Sequence, residues 1–192
     1  MEALLHDLLL DAARRHPAHA GVVDGGRTVR YDELDASANR FAHVLRDECG
    51  VARGDRVGLY LDKSAHAVAA IYGVLKAGAA YVPLDPGAPE ARVTEIARDA
   101  DIEVLISSSE KTASWGRLVE GASIGTIVCP DADAVSDAPA GATVMSSSVG
   151  FELDPDIARL LQPRDRYSPA RSSVMRAPYS RRCRSPRKWR ST

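Results

Sequence analysis

An α/β fold, a layered sheet flanked by helices, is what three features of this chain predict. Residues 56–84 read as strand, helix, strand. The helix inside that unit is apolar almost all round, so it must be covered on more than one face. Helical and strand-like periods then keep alternating to about residue 130.

Each element has a local reason. Near the start, Leu4, Leu5, Leu8, Leu9 and Ala12 recur at helical spacing with charges on the other side, and Pro17 ends the run near Arg15. Gly21–Val23 and Arg27–Arg30 flank Asp24-Gly25-Gly26, the pattern of a hairpin. From Asp32 the period becomes helical, with Leu34, Ala38, Phe41 and Leu45 on one face and Gly50 as the stop. A strand is expected over 56–61, with Val57, Leu59 and Leu61 on one side. Ser64 is the N-cap of the helix Ala65–Lys76, and Gly78 ends it. Ala79–Leu84 then reads as a short buried strand, parallel to the first and closed by the turn Asp85-Pro86-Gly87. Pro89 opens a helix over 90–99, and strands follow at 102–107 and 126–129.

Past Pro130 the signal fades. Residues 131–150 are rich in Asp, Ala, Ser and Gly with no sustained period, and 151–162 allows one short helix. The expected organisation is a domain over 1–130, a weakly structured connector over 131–163 and a tail over 164–192. That tail, dominated by Arg, Ser, Pro and Ala, cannot bury enough apolar surface to offset the entropy of ordering and is expected to be disordered.

Composition excludes several classes. The 192 residues are 45% hydrophobic and 27% charged, a globular balance. The 25 basic and 26 acidic side chains nearly cancel, but unevenly. Nine Arg and one Lys fall in 164–192 against one acid, Asp165; that leaves 15 basic and 25 acidic residues in 1–163. The longest nearly uncharged stretch, 64–75, falls short of the ~20 residues that a bilayer span needs. Glu2, Asp7 and Asp11 among the first leucines argue against an export signal. Cys49, Cys129 and Cys183 are odd in number and widely spaced, which fits a reducing cytoplasm and neither a disulfide framework nor a zinc ribbon.

Two stretches carry a family resemblance. Val29-Arg30-Tyr31-Asp32-Glu33-Leu34 resembles the opening motif of adenylate-forming, AMP-binding enzymes, Leu-Thr/Ser-Tyr-x-Glu-Leu. Leu75-Lys76-Ala77-Gly78-Ala79-Ala80-Tyr81-Val82-Pro83-Leu84-Asp85 is similar to their second motif, Leu-Lys-Ala-Gly-x-Ala-Tyr-Val-Pro-Ile/Leu-Asp. Gly54-Asp55-Arg56-Val57 and the helix from Ser64 stand between them in the family's order. The likeness covers roughly residues 1–130, and its form resembles nonribosomal peptide synthetase adenylation domains more than fatty acyl-CoA synthetases. Arg30 departs from the pattern: a hydroxyl there would pair with Glu33 in a capping box, and an Arg side chain cannot accept from helix N–H groups.

The resemblance implies the N-terminal subdomain of the adenylate-forming ligase fold, incomplete, followed by the basic tail. It also implies a two-step chemistry for the complete enzyme. An amino or other carboxylic acid is activated by ATP with Mg²⁺ to an acyl-adenylate and pyrophosphate, then transferred to a pantetheine thiol of coenzyme A or a carrier protein. The family's phosphate loop ends in Pro-Lys-Gly, and a ribose-binding Asp and a mobile-domain Lys lie far downstream. None of these is found here, so no catalytic, cofactor-binding or metal-ligating residue is assigned, and neither ATP nor Mg²⁺ is expected to bind this chain. Ser146-Ser147-Ser148-Val149-Gly150 has no following Pro-Lys-Gly and lacks the glycines of a phosphate cradle; it reads as a polar loop. The composition change past Pro163 is what a truncated or frameshifted reading frame yields, and sequencing the locus tests that. A non-catalytic docking remnant and a polyanion-binding tail, with Tyr167, Tyr179 and Trp189 available for stacking, are the alternatives; no nucleic-acid fold precedes the tail.

The remaining polar candidates have plainer readings. His16 and His19 have a metal-like spacing, but Pro17 interrupts the helix between them and no third ligand is near in sequence. His43 and His66 read as packing or surface residues, Tyr31 and Tyr81 as core residues with bonded hydroxyls, and Asp85 as a turn residue. Lys76 suits the negative end of its helix. Asp131, Asp133 and Asp137 solvate a loop that lacks the Gly and terminal Glu of a calcium site.

Overall fold

The computed structural model describes residues 4–132 and 138–146. Its centre is a five-stranded sheet of β3 (Arg56–Tyr60), β4 (Ala80–Pro83), β5 (Val104–Ser107), β6 (Thr126–Cys129) and β7 (Thr143–Ser146). A hairpin of β1 (Ala20–Asp24) and β2 (Arg27–Arg30) lies apart from it. The sheet order is β4-β3-β5-β6-β7 and every neighbouring pair is parallel. Five helices accompany the strands: α1 (Leu5–Arg15), α2 (Tyr31–His43), α3 (Ala65–Lys76), α4 (Glu90–Asp99) and α5 (Thr112–Gly121). Residues 44–48 carry α2 onward as a π-helical turn.

Alternation along the strands creates two cores. Val57, Leu59, Val104, Ile106 and Val128 join one apolar cluster with side chains of α1, α2 and α3. Tyr60, Leu105, Ile127 and Cys129 join another with α4 and α5. A parallel sheet must be covered on both faces, and this one is. The chain leaves β3 through α3 to β4, then returns through α4 to β5 on the far side of β3. That reversal puts α3 and α4 on opposite faces and makes the β3/β5 boundary the switch point of a doubly wound sheet.

Most expected elements appear within a residue or two of their sequence positions. The hairpin turn places Gly25 and Gly26 at φ 56° and 83°, with Asp24 opposite Arg27, as a two-residue turn requires. Ser64 Oγ accepts the Ala67 N–H at 3.1 Å, the cap its sequence position implied. At the α2 start, Glu33 Oε2 accepts the Arg30 N–H at 2.9 Å. The other half of a capping box is missing, as Arg30 dictates, and Asp32 Oδ1 takes the Glu33 N–H while also binding the Arg30 guanidinium.

Three findings differ from expectation. The strand read as buried, β4, is an edge strand, and Tyr81 on it is 36% exposed, so it is not a core residue. Pro83 and the short length protect that edge from unwanted pairing. Of the α1 leucines only Leu9 is buried; Leu4, Leu5 and Leu8 remain exposed because α1 rests on the core by a single narrow stripe. As its apolar composition requires, no residue of α3 is exposed: the helix is covered by its neighbours. Finally, α5 and β7 arise where no element was assigned. Among the described residues no helix is long and apolar enough to cross a membrane.

Candidate functional site

In doubly wound sheets ligands gather at the carboxyl ends of the strands, beside the switch point. Here that edge is formed by the segments following β3, β5 and β6, with Ser146 ending β7 on the same side. After β3, residues 61–64 lead into α3, whose first N–H groups point to this side. Asp24, at the hairpin turn, accepts the Ala65 N–H at 2.9 Å and so shares the cap with Ser64.

After β5 comes the serine run Ser107-Ser108-Ser109. Ser107 Oγ is buried and accepts the Trp115 Nε1–H at 2.8 Å. Ser109 donates its N–H at 2.9 Å and its hydroxyl at 3.0 Å to Asp131, which follows β6. Cys129 Sγ lies 3.1 Å from the same carboxylate. Lys111 pairs with Asp62 at 2.8 Å, across from the β5 side to the β3 side of the switch point.

The electrostatics follow from these bonds. Burial by itself would raise Asp131, but the bonds from Ser109 and Cys129 outweigh it and hold the carboxyl below the ordinary 3.8. Burial, reinforced by Asp131, pushes the Cys129 thiol up to about 12, and burial pushes Cys49 up to about 11. Both thiols are free and neither has the thiolate character of a nucleophile at neutral pH.

His66, in the first turn of α3, is half-buried. Burial lowers its pKa below 6.5; Asp131 and Asp24 oppose that shift and Arg27 adds to it. A folded value below the unfolded one means that the unfolded chain binds the proton first as pH falls. Stability is therefore complete above pH 6.5 and is lost as pH falls through the folded value. His66→Gln is expected to flatten the melting temperature between pH 7 and pH 5, measured by circular dichroism. An unchanged slope refutes the assignment to this ring.

A triphosphate needs several donors free to converge on its oxygens. Of this edge, Ser109 and Lys111 already donate to Asp131 and Asp62, and Ser107 Oγ already accepts the Trp115 indole N–H. No glycine-rich turn accompanies them in residues 107–111. Ser109 and Lys111 of the described edge are thus tied within the chain, and no step of adenylation is derived from it. Ser146 closes β7 at the same edge, while the rest of that serine run, 147–150, lies outside the described residues.

The other sequence candidates are dispersed. His16 and His19 stack with ring centroids 5.0 Å apart, and among the described residues no group of three or more His, Cys, Asp or Glu is placed to hold a metal ion. His43 is exposed, 3.3 Å from Asp47. Tyr31 packs partly buried against the α1–α3 core. Asp85 accepts the Gly87 N–H at 2.9 Å, the turn role expected of it. Asp131 does more than solvate a loop, since it ties β5 to β6; Asp133 and Asp137 lie outside the described residues, as does the tail over 164–192. Sequence reasoning missed Ser107, Trp115 and Asp131 as a group. The only local signal was a polar run directly after an apolar strand.

Comparison with known proteins adds the context. The model of a family described as AMP-binding enzyme matches residues 9–168. Syringomycin synthase SyrB1 of Pseudomonas syringae pv. syringae is 44% identical over 107 residues, 56% of this chain and 17% of that protein. N-(5-amino-5-carboxypentanoyl)-L-cysteinyl-D-valine synthase of Streptomyces clavuligerus is 40% identical over 141 residues, 72% of this chain and 17% of that protein. Among solved structures, the nonribosomal peptide synthetase FmoA3 (S1046A) in its alpha-methyl-L-serine-AMP bound form aligns with a TM-score of 0.59 and 32% identity. That alignment covers 74% of this chain and 16% of FmoA3. The chain thus spans less than a fifth of the length of each of these three.

Proposed function

The chain belongs to the AMP-binding enzyme family, and on that premise we propose that residues 1–130 are the N-terminal scaffold of an amino-acid-activating adenylation domain of the nonribosomal peptide synthetase type. By itself the chain does not catalyse adenylation. Residues 131–163 add β7 to the sheet and otherwise act as a connector, and 164–192 are a basic tail. In the complete enzyme the partners are an amino or other carboxylic acid and the pantetheine thiol of a carrier protein. Cysteines without a pairing pattern support a cytoplasmic location.

The observation that carries the reading is the carboxyl edge of the sheet. Its architecture is that of a ligand-binding α/β layer, yet its donors Ser109 and Lys111 are committed to Asp131 and Asp62, and Pro-Lys-Gly occurs nowhere in the sequence. Two measurements test it. Purified full-length chain is expected to exchange pyrophosphate into ATP only at the background rate with any of the common amino acids. Exchange above background overturns the inactivity. Residues 1–130 grafted in place of the corresponding segment of an active adenylation domain are expected to preserve amino-acid-dependent exchange, and a folded chimera without exchange counts against the scaffold role.

A further inference from the structure

Helices α2 and α3 meet along a seam of small side chains. Ala38, Phe41 and Ala42 of α2 and Ala69, Ala70, Gly73 and Val74 of α3 are all buried in one core. Gly73 lies so close to α2 that a Cβ placed there would be 3.0 Å from the Ala38 carbonyl oxygen. Small residues allow close approach, but alanine rows offer little shape to separate one axial register from its neighbour.

One end of this seam is polar. Lys76 Nζ, in the last turn of α3, donates to Asp35 Oδ1 at 2.5 Å and to Asn39 Oδ1 at 2.6 Å. Asn39 Nδ2 closes the triangle on Asp35 Oδ2 at 3.2 Å. Asp35 and Asn39 are four residues apart, hence stacked on one face of α2. The Lys76 and Asp35 side chains are only 12% and 13% exposed. Desolvation of such a pair roughly cancels its attraction, so net stabilisation is a poor account of it, while fixing register is the best-attested use.

We propose that Lys76, Asp35 and Asn39 form a register lock between α2 and α3, a conformational device that joins the second signature stretch to the helix begun by the first. A slide of α3 by one turn, about 5.4 Å, carries the ammonium away from both acceptors and leaves it buried and unpaired. The lock sets more than the helix pair. Ala77 and Gly78 follow Lys76 directly, Gly54 N–H donates to Gly78 O at 2.9 Å, and Ala80 N–H donates to Asp55 O at 2.8 Å as β4 begins. Fixing α3 along its axis therefore fixes where Ala80 falls opposite Arg56 in the sheet.

The test uses the full chain and four variants: Lys76→Met, Asp35→Leu, Asn39→Leu and the triple combination. Lys76→Met and Asp35→Leu each leave one buried charge unpaired and are expected to lower the folding equilibrium constant roughly 10²-fold or more by urea denaturation. The triple variant is expected to recover most of that loss, yet to show doubled or broadened amide resonances in α3 and β4 and reduced amide-exchange protection in β4. A triple variant with one sharp set of resonances and unchanged β4 protection overturns the proposal. So does one that fails to fold, because the triad would then supply stability and not register.

Discussion

Gly73→Leu is expected to destabilise the chain by more than about 3 kcal/mol, read as the shift in urea midpoint. Overpacking a close-packed core usually costs about 1–3 kcal/mol, and this site is tighter than most. Even a Cβ would lie 2.3 Å from Phe41 Cβ and 3.0 Å from the Ala38 carbonyl oxygen. Neither is the far end of a flexible side chain, and both residues are wholly buried. Only a movement of α2 relieves the contact, and α2 is held by Lys76 at one end of the seam. Gly116→Ala is the control. It is also helical, in α5, but its added Cβ meets nothing within 4 Å. Relief of backbone entropy should stabilise that variant by about 0.5–1 kcal/mol. Opposite signs at two helical glycines separate packing from propensity; equal losses refute the packing argument.

Trp115→Ala should cost about 3–5 kcal/mol from the cavity alone, since Trp115 is fully buried between α4, α5 and the sheet. Its indole N–H also satisfies the buried Ser107 hydroxyl at 2.8 Å. Losing that partner adds roughly 1–3 kcal/mol. Trp115→Phe separates the two contributions, because it fills most of the space and still abandons Ser107. Combining it with Ser107→Ala is expected to recover part of the loss by removing the stranded hydroxyl. No recovery in the double variant rules out the hydrogen bond as a contributor. Circular dichroism melts with urea titrations measure all three.

Legibility in the sequence tracked the strength of local patterns. The hairpin, α2, the β3–α3–β4 unit and α4 were readable because turn residues, stop signals or a clear apolar period mark each of them. Gly25 and Gly26 take the positive φ that their turn needs, and Ser64 caps α3 as its position implied. By contrast, α5 has no side-chain cap bond at its start and follows a polar serine run, so its helical character comes from Trp115 and Leu118 burying against the sheet. β7 is four residues long inside an Ala/Ser/Gly-rich stretch and gains its strand geometry from pairing with β6. Exposure of Tyr81 follows from β4 being an edge, and strand order is a long-range property.

The candidate edge divides in the same way. The missing Pro-Lys-Gly could be read directly, because a contiguous motif is a one-dimensional fact. The bonds that close the edge join residues far apart in the chain, Ser109 to Asp131 and Lys111 to Asp62, and no local pattern announces them.

By itself, then, the sequence determined the family, the α/β class and the places where most helices and strands begin, since each depends on contiguous residues. Only the tertiary structure decided which faces those elements bury, that β4 is an edge, and that Lys76 is held by Asp35 and Asn39. Those outcomes depend on contacts across dozens of residues, where the free energy is a sum over partners that no window of sequence contains.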